Sequence, residues 1–100
     1  MIKHVVMWKF KESALNNTKE ENIDEFASKL EALVGVIDEI VSLQVEKNIL
    51  PAETGSDLIL LSEFKSLQDL DTYNNHPEHQ KVLAFGKEVI GERRAVDFEM

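Results

Sequence analysis

The first stretch of the chain alternates. In IKHVVMWKF, residues 2–10, Ile2, His4, Val6, Trp8 and Phe10 fall on one side of an extended strand, and Lys3, Val5, Met7 and Lys9 on the other. Both sides carry bulky apolar groups. The period then changes. Ile23, Phe26, Ala27, Leu30, Leu33 and Val34 recur at helical spacing with lysine and glutamate between them. Thr18 and Glu21 supply the T-x-x-E capping box that opens this helix, and Gly35 stands where a C′ residue would end it.

Alternation returns where Val41, Leu43 and Val45 are set between Ser42, Gln44 and Glu46, which predicts a second strand from about Ile37 to Lys47. PAETGS, Pro51 to Ser56, is turn-like. DLILLSEF, residues 57–64, is a third strand, apolar on both faces. Ser66 with Asp69 predicts another helix cap, and Leu67, Leu70 and Tyr73 continue a short helix. Pro77 lacks an N–H and biases His76 away from the α region, so this helix cannot run straight on. Proline suits the first position of a new helix. The second helix is therefore expected in two pieces, the later one running from Pro77 to about Ile90 with Gly91 past its end. RRAVDFEM, residues 93–100, is the last strand, with Val96 and Phe98 on one side and Ala95 and Asp97 on the other.

The order is β-α-β-β-α-β, an α+β fold of ferredoxin-like type with a four-stranded antiparallel sheet. Two helices cover only one face of such a sheet. The other would still carry Val5 and Met7, and an open apolar face calls for a partner. A second copy of the chain, sheet against sheet about a two-fold axis, is the economical one. A homodimer closing into an α+β barrel is thus the expected assembly.

Composition narrows the partners. The 100 residues are expected to form a single domain, 1–100, able to bury somewhat under about 70% of the extended chain's surface. Nineteen acids against eleven bases give a net charge of −8. A nucleic acid would be repelled by this surface, and only the Arg93-Arg94 pair interrupts the scatter of basic residues. The surplus of acid serves solubility. The chain has no cysteine, which excludes disulfides and thiolate metal sites. MIKHVVMWKF lacks the apolar run of a signal peptide, and no stretch approaches the roughly 18 apolar residues of a membrane span. A soluble, cytoplasmic protein with no membrane or nucleic-acid partner is expected. The four glycines stand apart, so there is no phosphate-binding loop, and no cofactor is called for.

Scarce residue types gather in one place. DTYNNHPEHQKV, Asp71 to Val82, holds two of the three histidines, the only tyrosine and one of the two prolines. This stretch also carries a resemblance. KHVVMWKFK near the start, SEFKSLQDLDTYNNHPEHQKV in the middle and RRAVDFE near the end resemble the stress-responsive α/β-barrel (Dabb) family over essentially the whole chain. The Y-x-x-H-P-x-H element beginning at Tyr73 is the most specific part. The resemblance implies a dimeric α+β barrel of two ferredoxin-like subunits. It implies no single function. Most members are small proteins of unknown role, and some plant members are very stable stress proteins. One plant member is an aldol-type polyketide cyclase that needs no cofactor, and the wider superfamily includes cofactor-free monooxygenases. The tyrosine and second histidine of the cyclase's motif map onto Tyr73 and His79, and its early strand histidine onto His4, beside the same pocket. The cyclase lines its pocket with aromatic residues along the first helix, where this chain has Ile23, Phe26, Ala27 and Leu30, so a different substrate is implied.

The residues themselves support two readings. His79 lies on the flank of the helix that Val82, Gly86 and Val89 turn toward the sheet. It also lies in the first turn after Pro77, where free backbone N–H groups and the positive end of the helix dipole favour the neutral ring. A neutral histidine can act as a general base. Proton abstraction from a carbon next to a carbonyl is the chemistry this suits. His79 would take the proton, the Tyr73 phenol would donate to the developing enolate, and His4 would position substrate or relay a proton. The ligand would be a small, mostly apolar carbonyl or aromatic compound. The other reading is structural: His76 is an N-cap, His79 satisfies a backbone carbonyl, Tyr73 fills the core, and the protein is a non-catalytic stress or accessory scaffold. Cofactor-free oxygenation would ask for a deeper pocket lined by Trp8. A metal site is a poor fit, because His76 and His79 share a face only if the helix is continuous through Pro77, and three histidines without a required carboxylate nearby make a poor zinc site. Asp97 is expected to make an ion pair with Arg93 or Lys3.

Overall fold

The computed structural model describes residues 1–50, 53 and 55–100. The turn expected over residues 51–56 therefore lies partly outside the described residues. In chain order the elements are β1 (Ile2–Phe10), β2 (Ser13–Ala14), β3 (Asn17–Thr18), α1 (Lys19–Glu31), β4 (Ser42–Lys47), β5 (Leu58–Phe64), α2 (Leu67–Asn75), α3 (Pro77–Val89) and β6 (Ile90–Glu99). The main sheet is antiparallel with strand order β4-β5-β1-β6. This is the ferredoxin-like arrangement, with three helices on one face.

The first strand divides its residues as its alternation predicts. Ile2, His4, Val6, Trp8 and Phe10 are buried toward the helices. Leu58, Leu60, Ser62 and Phe64 of β5 join them on the same face. Phe26 of α1 is the centre of the core. Its ring meets Trp8 edge-on at 4.9 Å and Phe10 at 5.7 Å, a geometry that aromatic quadrupoles favour. α1 opens on the capping box: Thr18 Oγ1 accepts from the Glu21 amide at 3.2 Å, and Glu21 Oε1 accepts from the Thr18 amide at 2.9 Å.

Three boundaries differ from the sequence reading. The second strand begins at Ser42, not near Ile37. Residues 32–40 form successive turns, in which the Ile37 amide donates to the Leu33 carbonyl at 3.0 Å and the Ile40 amide to the Ile37 carbonyl at 3.3 Å. Leu30, Leu33 and Ile37 extend the helical spacing past α1 and all three are buried, whereas strict alternation starts only at Val41. Gly35, with φ of 89°, sits inside this turn region, three residues beyond the helix cap at Ala32. The last strand begins at Ile90, directly after α3. Gly91 follows the end of α3, as expected, and lies inside this strand. Phe10 pairs with Ile90 and Lys9 with Glu92, leaving Gly91 as the extra residue of a bulge.

A small hairpin, β2–β3, was not expected. Its two-residue turn places Leu15 and Asn16 at φ of 54° and 61°. Leucine is costly there, so no local signal announces the turn. Buried Asn22 of α1 holds the hairpin, donating from Nδ2 to the Ala14 carbonyl at 3.1 Å.

The opposite face of the sheet has no helix on it. Met7, Leu61, Val96 and Phe98 are exposed there, with Val5 and Ile59 half-buried between them. β6 is one of the two edge strands and is exposed from Gly91 to Glu99.

Candidate functional site

The junction between α2 and α3 is built by His76. Its φ and ψ, −64° and 135°, belong to extended backbone, as the proline after it demands. It closes α2 and opens α3, and its Nδ1 accepts from the Glu78 amide at 3.1 Å. This N-cap turns the next helix so that His79, Val82, Gly86 and Val89 face inward. Tyr73, in the last turns of α2, faces the same interior and is fully buried.

A cleft of about 770 Å³ opens between α3 and β6, above the helix-covered face of the sheet. His4, Tyr73 and His79 all line it, and His76 does not. The inner wall is apolar, made of Val6, Trp8, Phe26, Leu30 and Leu60. The rim is polar, with Asn74, Asn75, Gln80, Lys87, Arg93 and Asp97.

The rings of Tyr73 and His79 lie 4.2 Å apart at 34°, and His4 is 6.1 Å from Tyr73. The Tyr73 hydroxyl is buried and has no hydrogen-bond partner among the described residues. Burial pushes this phenol well above its ordinary pKa, so it remains a donor at any physiological pH. His79 Nδ1 lies 3.2 Å from the Asn74 carbonyl. A carbonyl only accepts, so Nδ1 carries the proton and Nε2 of the neutral ring carries the lone pair. Burial is the main cause that lowers the His79 pKa, opposed by the Asn74 bond and reinforced by the charges of His4, Arg93 and His76. The direction is that expected from its place at the helix start; the leading cause is desolvation.

Asp97 corrects the sequence reading. It pairs neither with Arg93 nor with Lys3. Lys3 bonds Glu63 at 2.6 Å from the other face of the sheet. Asp97 Oδ1 instead accepts from His4 Nδ1 in a short contact, and the two residues are register partners on β1 and β6. His4 is thereby held in orientation through Nδ1. Its backbone is fixed as well, by Ser62 Oγ donating to the His4 carbonyl at 3.1 Å. Sequence alone sets His4 and Asp97 on one side of their respective strands but does not give the register that joins them. Among the described residues no group of three or more histidine, cysteine, aspartate or glutamate side chains gathers to hold a metal ion, and no helix is long and apolar enough to cross a membrane.

Residues 2–100 match the stress responsive A/B barrel domain, Dabb. The chain belongs to the Dabb family. No curated protein is matched. Among solved structures this Dabb chain is similar to a dimeric protein of unknown function and ferredoxin-like fold from Bacteroides fragilis. That pair is 31% identical, with a TM-score of 0.88, over 99% of this chain and 95% of the other. A dimeric ferredoxin-like protein of unknown function from Thermobifida fusca superposes with a TM-score of 0.83 at 18% identity, over 99% and 90%. A hydroxynitrile lyase from Passiflora edulis superposes with a TM-score of 0.79 at 15% identity, over 97% and 90%. At these lower identities the likeness is one of fold.

Proposed function

We propose that this Dabb protein is a homodimer whose cleft binds a small carbonyl or aromatic compound of mostly apolar body and removes a proton from the carbon next to the carbonyl. His79 Nε2 takes the proton. The electron pair of the broken C–H bond moves onto the carbonyl oxygen, and the Tyr73 hydroxyl donates to that oxygen as it becomes an enolate. His4, oriented by Asp97, stands across from the pair to position the substrate or pass the proton on. A positioned base typically contributes about 10²–10⁴-fold, and one donor to a developing oxyanion about 10²–10³-fold.

The observation that carries this reading is the Tyr73 hydroxyl, buried against His79 at the wall of a cleft and bonded to nothing among the described residues. Buried polar groups are nearly always paired, and a ligand oxygen would supply the partner. The fold is one in which an enzyme occurs, the Passiflora edulis hydroxynitrile lyase. The dimer rests on the open apolar face and on relatives described as dimeric.

A specific observation favours a second reading, that of a non-catalytic scaffold. His76 and His79 each use Nδ1 within the α2–α3 junction, to the Glu78 amide and the Asn74 carbonyl. NMR screening of small aryl and alkyl ketones against wild type, His79→Ala and Tyr73→Phe separates the two. Site binding predicts cleft-residue shifts in wild type that weaken at least about tenfold in both variants. Equal shifts in all three proteins would leave the scaffold reading standing.

A further inference from the structure

The cleft's rim holds two cations that have no counterion among the described residues. Arg93 faces the helix side of β6, in register with Trp8 of β1, on the same side as Ala95 and Asp97. Lys87 approaches from the last turn of α3. Neither makes a salt bridge among the described residues, although the chain carries 19 carboxylates. The neighbouring Arg94, pointing away from the cleft, does find one, Glu92 at 3.8 Å. In a molecule of charge −8, an arginine and a lysine at the rim of one cleft, whose one rim carboxylate, Asp97, is already engaged by His4, form a local positive spot. Its field reaches the interior: the Arg93 charge acts on both Tyr73 and His79. The buried Tyr73 hydroxyl, without a partner among the described residues, lines the same cleft.

The features divide into an exposed rim and a buried interior. Arg93 and Lys87 stand at the rim, and the interior holds the Tyr73 hydroxyl beside an imidazole and a wall of Trp8, Phe26, Leu30 and Leu60. From this division we infer that the ligand is an anion, a small keto carboxylate. Its carboxylate rests on Arg93 and Lys87, its keto oxygen meets Tyr73, and its apolar end lies on Trp8 and Phe26. Guanidinium matches a carboxylate with two parallel N–H donors, and the lysine adds a point charge. The acidic remainder of the surface repels the same anion, so the rim is where it accumulates. This inference rests on the carbonyl reading of the site and names the class of carbonyl compound.

The test compares 3-benzoylpropionate, a stable keto acid, with its uncharged methyl ester. Calorimetric titration is run on wild type, Arg93→Gln and Lys87→Gln, all at exposed positions. Wild type is expected to bind the acid about tenfold more tightly than the ester. Arg93→Gln is expected to remove most of that preference, Lys87→Gln part of it, and neither should change ester binding. Raising the salt concentration should weaken the acid alone. Equal affinity for acid and ester in wild type, no binding of either, or an acid preference that survives both substitutions would overturn the inference. Proton-abstraction activity is scored separately, as deuterium uptake next to the ketone of the ester. Failure of the carbonyl reading shows there, and failure of the anion inference shows in the acid–ester ratio.

Discussion

Tyr73 carries a polar atom that the fold buries and that finds no partner among the described residues. Leaving such a group unpaired costs about 1–3 kcal/mol. Tyr73→Phe is therefore expected to stabilise the unliganded protein by about 1 kcal/mol, read from the midpoint of urea denaturation, while weakening ligand binding. A loss of stability would show that the hydroxyl is satisfied within the protein. His79 makes a second prediction at this scale. Its folded pKa lies below the ordinary 6.5 because the ring is buried. As pH falls through about 6.5 the unfolded chain takes up a proton that the folded chain refuses. Stability then falls with pH until the lowered folded pKa is reached, and levels off below it. Above about pH 7 the group contributes no slope. His79→Gln should flatten this part of the stability–pH curve, measured between pH 7.5 and 5.

Among the elements, the segment after α1 shows where local pattern and tertiary contact compete. Ile37 is buried to 1% exposure, on a turn whose register continues the helix. A strand reading of Ile37 to Lys47 merges this core anchor with the alternation that starts at Val41. Gly35 supplies the positive φ that the turn needs, and a Cβ added there meets nothing within 4 Å. Gly35→Ala is thus a purely backbone change, expected to cost about 1 kcal/mol in thermal or urea unfolding. A neutral result would mean the turn can relax. The capping box at Thr18, the break at Pro77 and the faces of β1 were legible because each is set by residues within a few positions. The His4–Asp97 pair spans 93 positions and depends on strand register. The Leu15–Asn16 turn runs against local preference and is held by Asn22 from outside. Neither kind of feature leaves a local mark. The clustering of Tyr73 and His79 at one cleft was legible because both lie beside the same proline break; the empty bond of the Tyr73 hydroxyl was not, because it depends on what all the surrounding elements fail to offer.

For the whole molecule, the sheet buries one face under its own helices and leaves Met7, Leu61, Val96 and Phe98 on the other. The proposed dimer covers this second face and leaves the cleft on the helix side of each subunit. A charge placed on the open face does not touch the subunit's own core. Val96→Glu together with Leu61→Glu is expected to convert the dimer to a folded monomer, seen as a halving of mass in sedimentation equilibrium with unchanged circular dichroism. A wild-type protein that is already monomeric at micromolar concentration would remove the dimer from the account. The measurement closest to the site's chemistry is the exchange of deuterium from solvent into the methylene of phenylacetone, followed by proton NMR. Wild type is predicted to accelerate that exchange over buffer, with His79→Ala at least about 10²-fold slower and Tyr73→Phe slowed as well. Exchange no faster than in buffer, or equally fast in all three proteins, would contradict the claim that this cleft removes protons next to a carbonyl.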